Sequence, residues 1–238
     1  MRTKILYIIL CLFALNFTNS VLAQEILNKN WDGEKIKGVR NLPYPPYQGL
    51  PFLSTNWMIG KIEFVDGQIA DSLNIRYSSY KDDLVYYNKN ISTQIVIEKA
   101  SLKGFSYTDD DGNTRNFRKQ FYDDYLKADR FFEVLSKGET DLLVYRKSNL
   151  ASTVAYRDEK GTLINMAYTP DYQFYFYSPE KGYTAVKPNR AGLIAKFAAT
   201  EQRPVKKYLR KNKVRITDEE GFLLAWKIIE KGGFKVVF

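Results

Sequence analysis

The chain has 238 residues with no histidine and a single cysteine, Cys11, and its 36 Lys plus Arg outweigh 27 Asp plus Glu for a formal charge of +9. That inventory excludes a Ser-His-Asp triad, and a lone cysteine excludes an internal disulfide or a Cys/His zinc site. A hydrophobic share of 45%, with aromatic residues making up 15% of the chain and tyrosine the commonest of them, excludes a disordered chain and favours a sheet protein.

Residues 1–23 begin with Arg2 and Lys4, continue through an apolar run from Ile5 to Phe17 and end in Val21-Leu22-Ala23. This is the pattern of a secretory signal peptide cleaved before Gln24, and its apolar run is too short to span a bilayer. Cleavage removes Cys11 and leaves Gln24 where a bacterial lipoprotein needs a cysteine. The expected mature chain of 215 residues can bury one substantial core or two small ones, held by packing and hydrogen bonds alone. With no recognisable C-terminal sorting domain, the expected location of the exported product is the periplasm, with association at the outer membrane as the second setting.

Residues 24–56 read as an extended arm. NLPYPPYQGLPF carries Pro43, Pro45, Pro46 and Pro51, which remove backbone donors and favour polyproline geometry. The arm is expected to lie across the body and tuck Tyr47 and Phe52 into it; the alternative is a recognition arm for a partner's groove.

Residues 57–187 read as an antiparallel β body. WMIGKIEFV and SLNIRYS flank Asp66-Gly67, a strong hairpin signal, and DLVYYN and TQIVIEK follow about Asn88-Lys89-Asn90. LKGFSYT and TRNFRKQF flank residues 109–113. ASTVAYR and TLINMAY flank residues 158–161, and QFYFYS and YTAVK flank residues 178–182. The central hairpin is FFEVLSKGETDLLVYRKSN, Phe131 to Asn149, in which neither strand is apolar on one face and polar on the other. Such strands suit the middle of a curved, well-covered sheet. Ten or more consecutive strands are expected to curl into an open barrel or a two-layer sandwich.

Asp109, Asp111 and Asn113 are spaced like the first ligands of a calcium loop, but Thr114 and Gln120 stand where an EF-hand needs glycine and glutamate. A hairpin turn is the reading taken.

Residues 188–238 switch to a helical period and form a helical segment of the same domain. Asn189 caps a short helix carrying Leu193, Ile194 and Phe197. A second starts near Pro204 with Val205, Tyr208 and Leu209 as its stripe. Thr217 and Glu220 form a capping box for a third, which buries Phe222, Trp226 and Ile229 and stops at Gly232-Gly233. The fold class expected is therefore mainly β with C-terminal helices packed on one face or mouth of the curled meander.

Charge is concentrated. The mature chain carries +7, of which +6 falls between Glu201 and Arg215. Arg203, Lys206, Lys207, Arg210, Lys211 and Lys213 are the candidate docking residues for an anionic partner, an envelope protein or an anionic membrane surface; the bland alternative is a solvated helix face. Nucleic acid is excluded as a partner by export and by the absence of an RNP, zinc-finger or helix-turn-helix signature. No Walker A, GxGxxG, GxSxG or HExxH motif occurs, no cofactor is implied, and the acid pair Asp123-Asp124 reads as part of a turn.

WMIGKIEFVDG, LNIRYSSYKDDLVYYN, FFEVLSKGETDLLVYRK and the basic KKYLRKNK, spread over Leu50 to Ile229 behind the signal peptide, resemble a group of exported β-rich proteins of Bacteroidota. The resemblance implies an envelope setting in a Gram-negative cell, and it carries over no functional residue. The function expected is that of a non-enzymatic interaction or scaffold module docking through the basic helix. A carrier of an apolar, lipid-like ligand in a half-open barrel is the alternative, and a hydrolase built on carboxylates alone comes third.

Overall fold

The structure is a computed structural model and describes residues 36–123 and 127–238. The signal peptide with Cys11, the start of the arm and Asp124 lie outside the described residues. Alternation of apolar and polar side chains from Met58 onward forms a sheet, because a two-residue period puts Met58, Gly60, Ile62 and Phe64 on one side and Ile59, Lys61 and Glu63 on the other. The strands are β1 (Gly38–Arg40), β2 (Gln48–Gly49), β3 (Met58–Phe64), β4 (Ile69–Ser78), β5 (Asp83–Asn88), β6 (Thr93–Ile97), β7 (Leu102–Thr108), β8 (Thr114–Tyr122), β9 (Ala128–Ser136), β10 (Asp141–Arg157), β11 (Leu163–Ser178) and β12 (Gly182–Val186). The helices are α1 (Arg190–Ile194), α2 (Ala199–Lys211) and α3 (Glu219–Lys231).

The strands join in one open sheet in the order β1-β6-β5-β4-β3-β7-β8-β9-β10-β11-β12, with β2 added parallel to β11. Strands β3 to β6 step outward as one meander; a 3₁₀ turn at Lys99–Ser101 then returns the chain so that β7 starts a second meander on the other side of β3.

The two ends of the sheet curl toward opposite faces. On one face Tyr77 of β4 reaches Phe117 of β8, ring centroids 5.1 Å apart, and Phe131 of β9 at 6.2 Å. Strands β4 and β9 are four positions apart, about 19 Å in a flat sheet, so β3 to β9 must roll around this core. On the other face Tyr122 of β8 donates to the Tyr175 hydroxyl of β11 at 3.2 Å, and Tyr183 of β12 donates to the Phe121 carbonyl of β8 at 3.1 Å. Strands β8 to β12 therefore roll the opposite way, around Phe132, Leu143 and Tyr175. The outcome is the expected mainly β fold with C-terminal helices, an open sheet that reverses its curl at β8 and β9. Phe131 and Phe132, adjacent in β9 and pointing to opposite faces, are both fully buried, one in each roll.

The helices cover the outside of the second roll. Leu142 and Val144 of β10, Phe174 and Phe176 of β11 and Val186 of β12 form a third core with Leu193, Val205, Leu209, Phe222, Trp226 and Ile229. The closest aromatic pair there is Phe176 with Trp226, 4.4 Å between centroids.

Several boundaries differ from the sequence reading. DLLVYRKSN and ASTVAYR are one strand, β10, and TLINMAY and QFYFYS are one strand, β11. Pro170 does not interrupt β11: its partner Ser148 sends its N–H away from β11 to the Ser79 carbonyl, so Pro170 sits at a position where the ladder needs no donor. Helix α2 begins at Ala199, ahead of Pro204, which is accommodated inside it. The cap of α3 is Asp218 in place of Thr217, its carboxylate accepting from Gly221 N–H at 2.8 Å while Thr217 bonds to Asp218. Asp109 makes a turn, accepting from the N–H groups of Asn113 and Asp111 and from Arg115 Nε.

The described part of the arm crosses the body as an extended chain. Strand β1 pairs with β6, Leu53 N–H bonds the Tyr77 carbonyl, and β2 meets Ala167 and Tyr168 of β11. Phe52 is buried and Tyr47 half-buried, packed against Tyr44 and Tyr168.

Candidate docking site

Helix α2 is amphipathic because Val205 and Leu209, four apart, fall on one side, where both are fully buried under α1 and α3. The opposite side of the same helix carries Arg203, Lys206, Lys207 and Arg210, at the i, i+3, i+4 and i+7 spacing of one face, and all four are exposed. Lys211 ends the helix and Lys213 follows it, both exposed. The four face residues join Ala191 and Ile194 of α1 and Ala195 just after it in lining an open groove of about 1210 Å³. Among the described residues none of these six cations has a carboxylate partner.

The groove is fixed from both ends. Asn189 caps α1 by accepting from Gly192 N–H at 2.8 Å. Arg190 then reaches the carbonyls of Val214 and Lys206, at 3.4 and 3.5 Å, which places a cation beside the C-terminal end of α2. At that end Val214 N–H bonds the Leu209 carbonyl and Lys213 N–H the Arg210 carbonyl, the paired bonds of a Schellman turn, with Lys213 left-handed at φ +55° in the position that glycine usually fills. Buried Val214 and Leu209 supply the turn's hydrophobic contact.

The carboxylates that burial would favour for catalysis are engaged elsewhere. Asp82 accepts from Tyr77 at 2.7 Å, from Lys99 at 2.9 Å and from the Phe131 N–H, and burial still holds its pKa above the ordinary aspartate value. Asp141 accepts from Arg118 and from Gly138 N–H. Glu133 accepts from Arg146, which also forms a two-point pair with Glu219. Among the described residues no three acids, cysteines or histidines stand close enough to hold a metal ion. No described helix is long and apolar enough to cross a membrane.

The first roll is filled by its own rings, Phe105 stacking on Phe117 at 4.5 Å and Tyr77 tilting against both. The sequence reading expected Tyr47 and Phe52 to tuck into the body but did not find Arg76 of β4, which converges there with Tyr44, Tyr47 and Phe52. The one signal for it was the density of tyrosine and proline in residues 43–52. Comparison with protein-family models, with curated proteins and with solved structures finds no match for this chain.

Proposed function

We propose that the chain is a non-enzymatic envelope protein that docks on an anionic partner through the outer face of α2. The observation that carries this reading is the alignment of Arg203, Lys206, Lys207 and Arg210 on one exposed face with no carboxylate partner among the described residues. A solvated helix needs no such separation; mixed signs at i, i+4 spacing would stabilise it better. Clustered like charges raise the local potential and the rate of encounter with an acidic surface, and their effect falls with salt. The exported setting and the Bacteroidota resemblance remain parts of this proposal.

The test is fractionation of cells producing the wild-type protein or the double variant Lys207→Glu with Arg210→Glu. Docking through α2 predicts that the variant shifts from the envelope to the soluble fraction, and that raised salt releases the wild type in the same way. Unchanged fractionation of a folded double variant overturns the proposal.

A further inference from the structure

Arg76 stands on β4 with its guanidinium carbon 4.0 Å above the Phe52 ring and 5.5 Å from Trp57. Its Nη2 donates to the Ser54 carbonyl at 3.3 Å, whereas its Nε is buried without a hydrogen-bond partner. No carboxylate pairs with it among the described residues. Burial lowers its pKa from the ordinary arginine value. A half-buried guanidinium normally recruits a carboxylate, because an unpaired buried charge is costly.

This arginine opens into a cleft of about 410 Å³ between the arm and the tip of the β5–β6 hairpin, a size suited to a small ligand. One wall is aromatic, Tyr44, Tyr47 and Phe52, set edge to face at 5.7 to 6.1 Å. The other is polar, with Ser92, Thr93 and Gln94 facing Asn41. Asn41 donates to Gln94 Oε1 at 2.9 Å, which fixes the Gln94 amide with its N–H₂ unbonded among the described residues. Among the described residues no acid lines the cleft, although acids are common elsewhere on the chain.

We propose that this cleft binds a carboxylated sugar, its carboxylate on Arg76, its ring against the tyrosine wall and its hydroxyls on the Gln94 side. A planar guanidinium pairs best with a carboxylate, aromatic faces take the apolar side of a flat ring, and a row of amides and hydroxyls matches a hydroxylated edge. The site is separate from the α2 face and would operate whether or not that helix docks.

The experiment is saturation-transfer NMR on the mature protein with D-glucuronate as probe and D-glucose as the neutral ring. Wild type is expected to bind glucuronate saturably and glucose about tenfold more weakly, the weight of one charge-assisted contact. Arg76→Gln should bring glucuronate down to the level of glucose. Gln94→Ala, at an exposed position, should weaken both sugars. Equal binding of the two sugars by wild type, no saturable binding, or glucuronate binding unchanged in both variants overturns the assignment.

Discussion

Arg146 of β10 and Glu219 of α3 form a two-point ion pair, Nη1 to Oε2 at 2.7 Å and Nη2 to Oε1 at 2.5 Å, across 73 residues of sequence. The Arg146 Nε turns the other way to Glu133 of β9 at 2.5 Å, and its guanidinium lies 4.7 Å from the Tyr172 ring centroid. Arg146 is 2% exposed. It stands on the face shared by the first core and the helix-covered core, and it ties the first turn of α3 to the sheet at the seam between them. Burial opposes its charge, yet Glu219 and Glu133 together hold its pKa above the ordinary arginine value.

Arg146→Met is expected to destabilise the protein by about 3–5 kcal/mol, because among the described residues it leaves buried Glu133 with the more distant Arg115, at 3.6 Å, as its remaining cation. Glu219→Gln, at a partly exposed partner, should cost about 1–2 kcal/mol, since Arg146 keeps its bond to Glu133. Urea unfolding of the two variants checks the order; equal costs would mean that the network does not centre on Arg146.

Much of this seam was legible only in retrospect. The mixed pattern of Phe131 to Asn149 correctly placed the hairpin in the middle of a covered sheet, because Phe131 and Phe132 cannot both be buried on a strand unless both faces are covered. The reversal of curl was not legible, since it depends on contacts such as Tyr77 with Phe131 and Tyr183 with Phe121 that no local period encodes. Local chemistry placed the helices: the Asn189 cap and the Phe222, Trp226, Ile229 stripe are as expected. The third helix cap moved from Thr217 to Asp218, which leaves Glu219 in the first turn and able to reach Arg146. A capping rule that sees only four residues could not weigh that distant partner. The basic residues of α2 were found because charge density needs no tertiary information, whereas the Arg76 cleft is assembled from the arm, β4 and the β5–β6 tip and exists only in the fold.

Glu230 gives a pH-dependent prediction. It lies on α3 over the hairpin turn, where its carboxylate occupies the space a side chain at Gly138 would need. Burial, then the nearby Asp141 carboxylate, raise its pKa above the ordinary glutamate value of 4.5. A carboxyl whose pKa is higher folded than unfolded favours the fold when protonated, below the unfolded value, and that contribution is lost as pH rises through the folded value. Glu230→Gln, which mimics the protonated form, should therefore match the wild type below about pH 4 and be the more stable of the two at pH 7. Thermal unfolding at the two pH values tests this; a variant less stable than wild type at pH 7 would show that the carboxylate is favourably held.

Lys213 joins stability to docking. A left-handed conformation costs an L-residue about 1 kcal/mol relative to glycine, partly offset by the greater freedom glycine has in the unfolded chain. Lys213→Gly should then raise stability by about 0.5–1 kcal/mol, or about 1–4 °C in Tm for a chain of this size. Lys213→Ala keeps the strain and should give no gain. Both variants remove one charge from the end of the α2 face, so if α2 docks on an anionic envelope partner as proposed, both should lower the salt concentration that releases the protein, and by similar amounts. This pair separates the two roles: a lysine that matters only to the turn would change Tm in the glycine variant and leave salt release untouched in both. Reduced salt resistance in Lys213→Ala, with no change in Tm, is the outcome expected if the strained lysine serves the anionic partner.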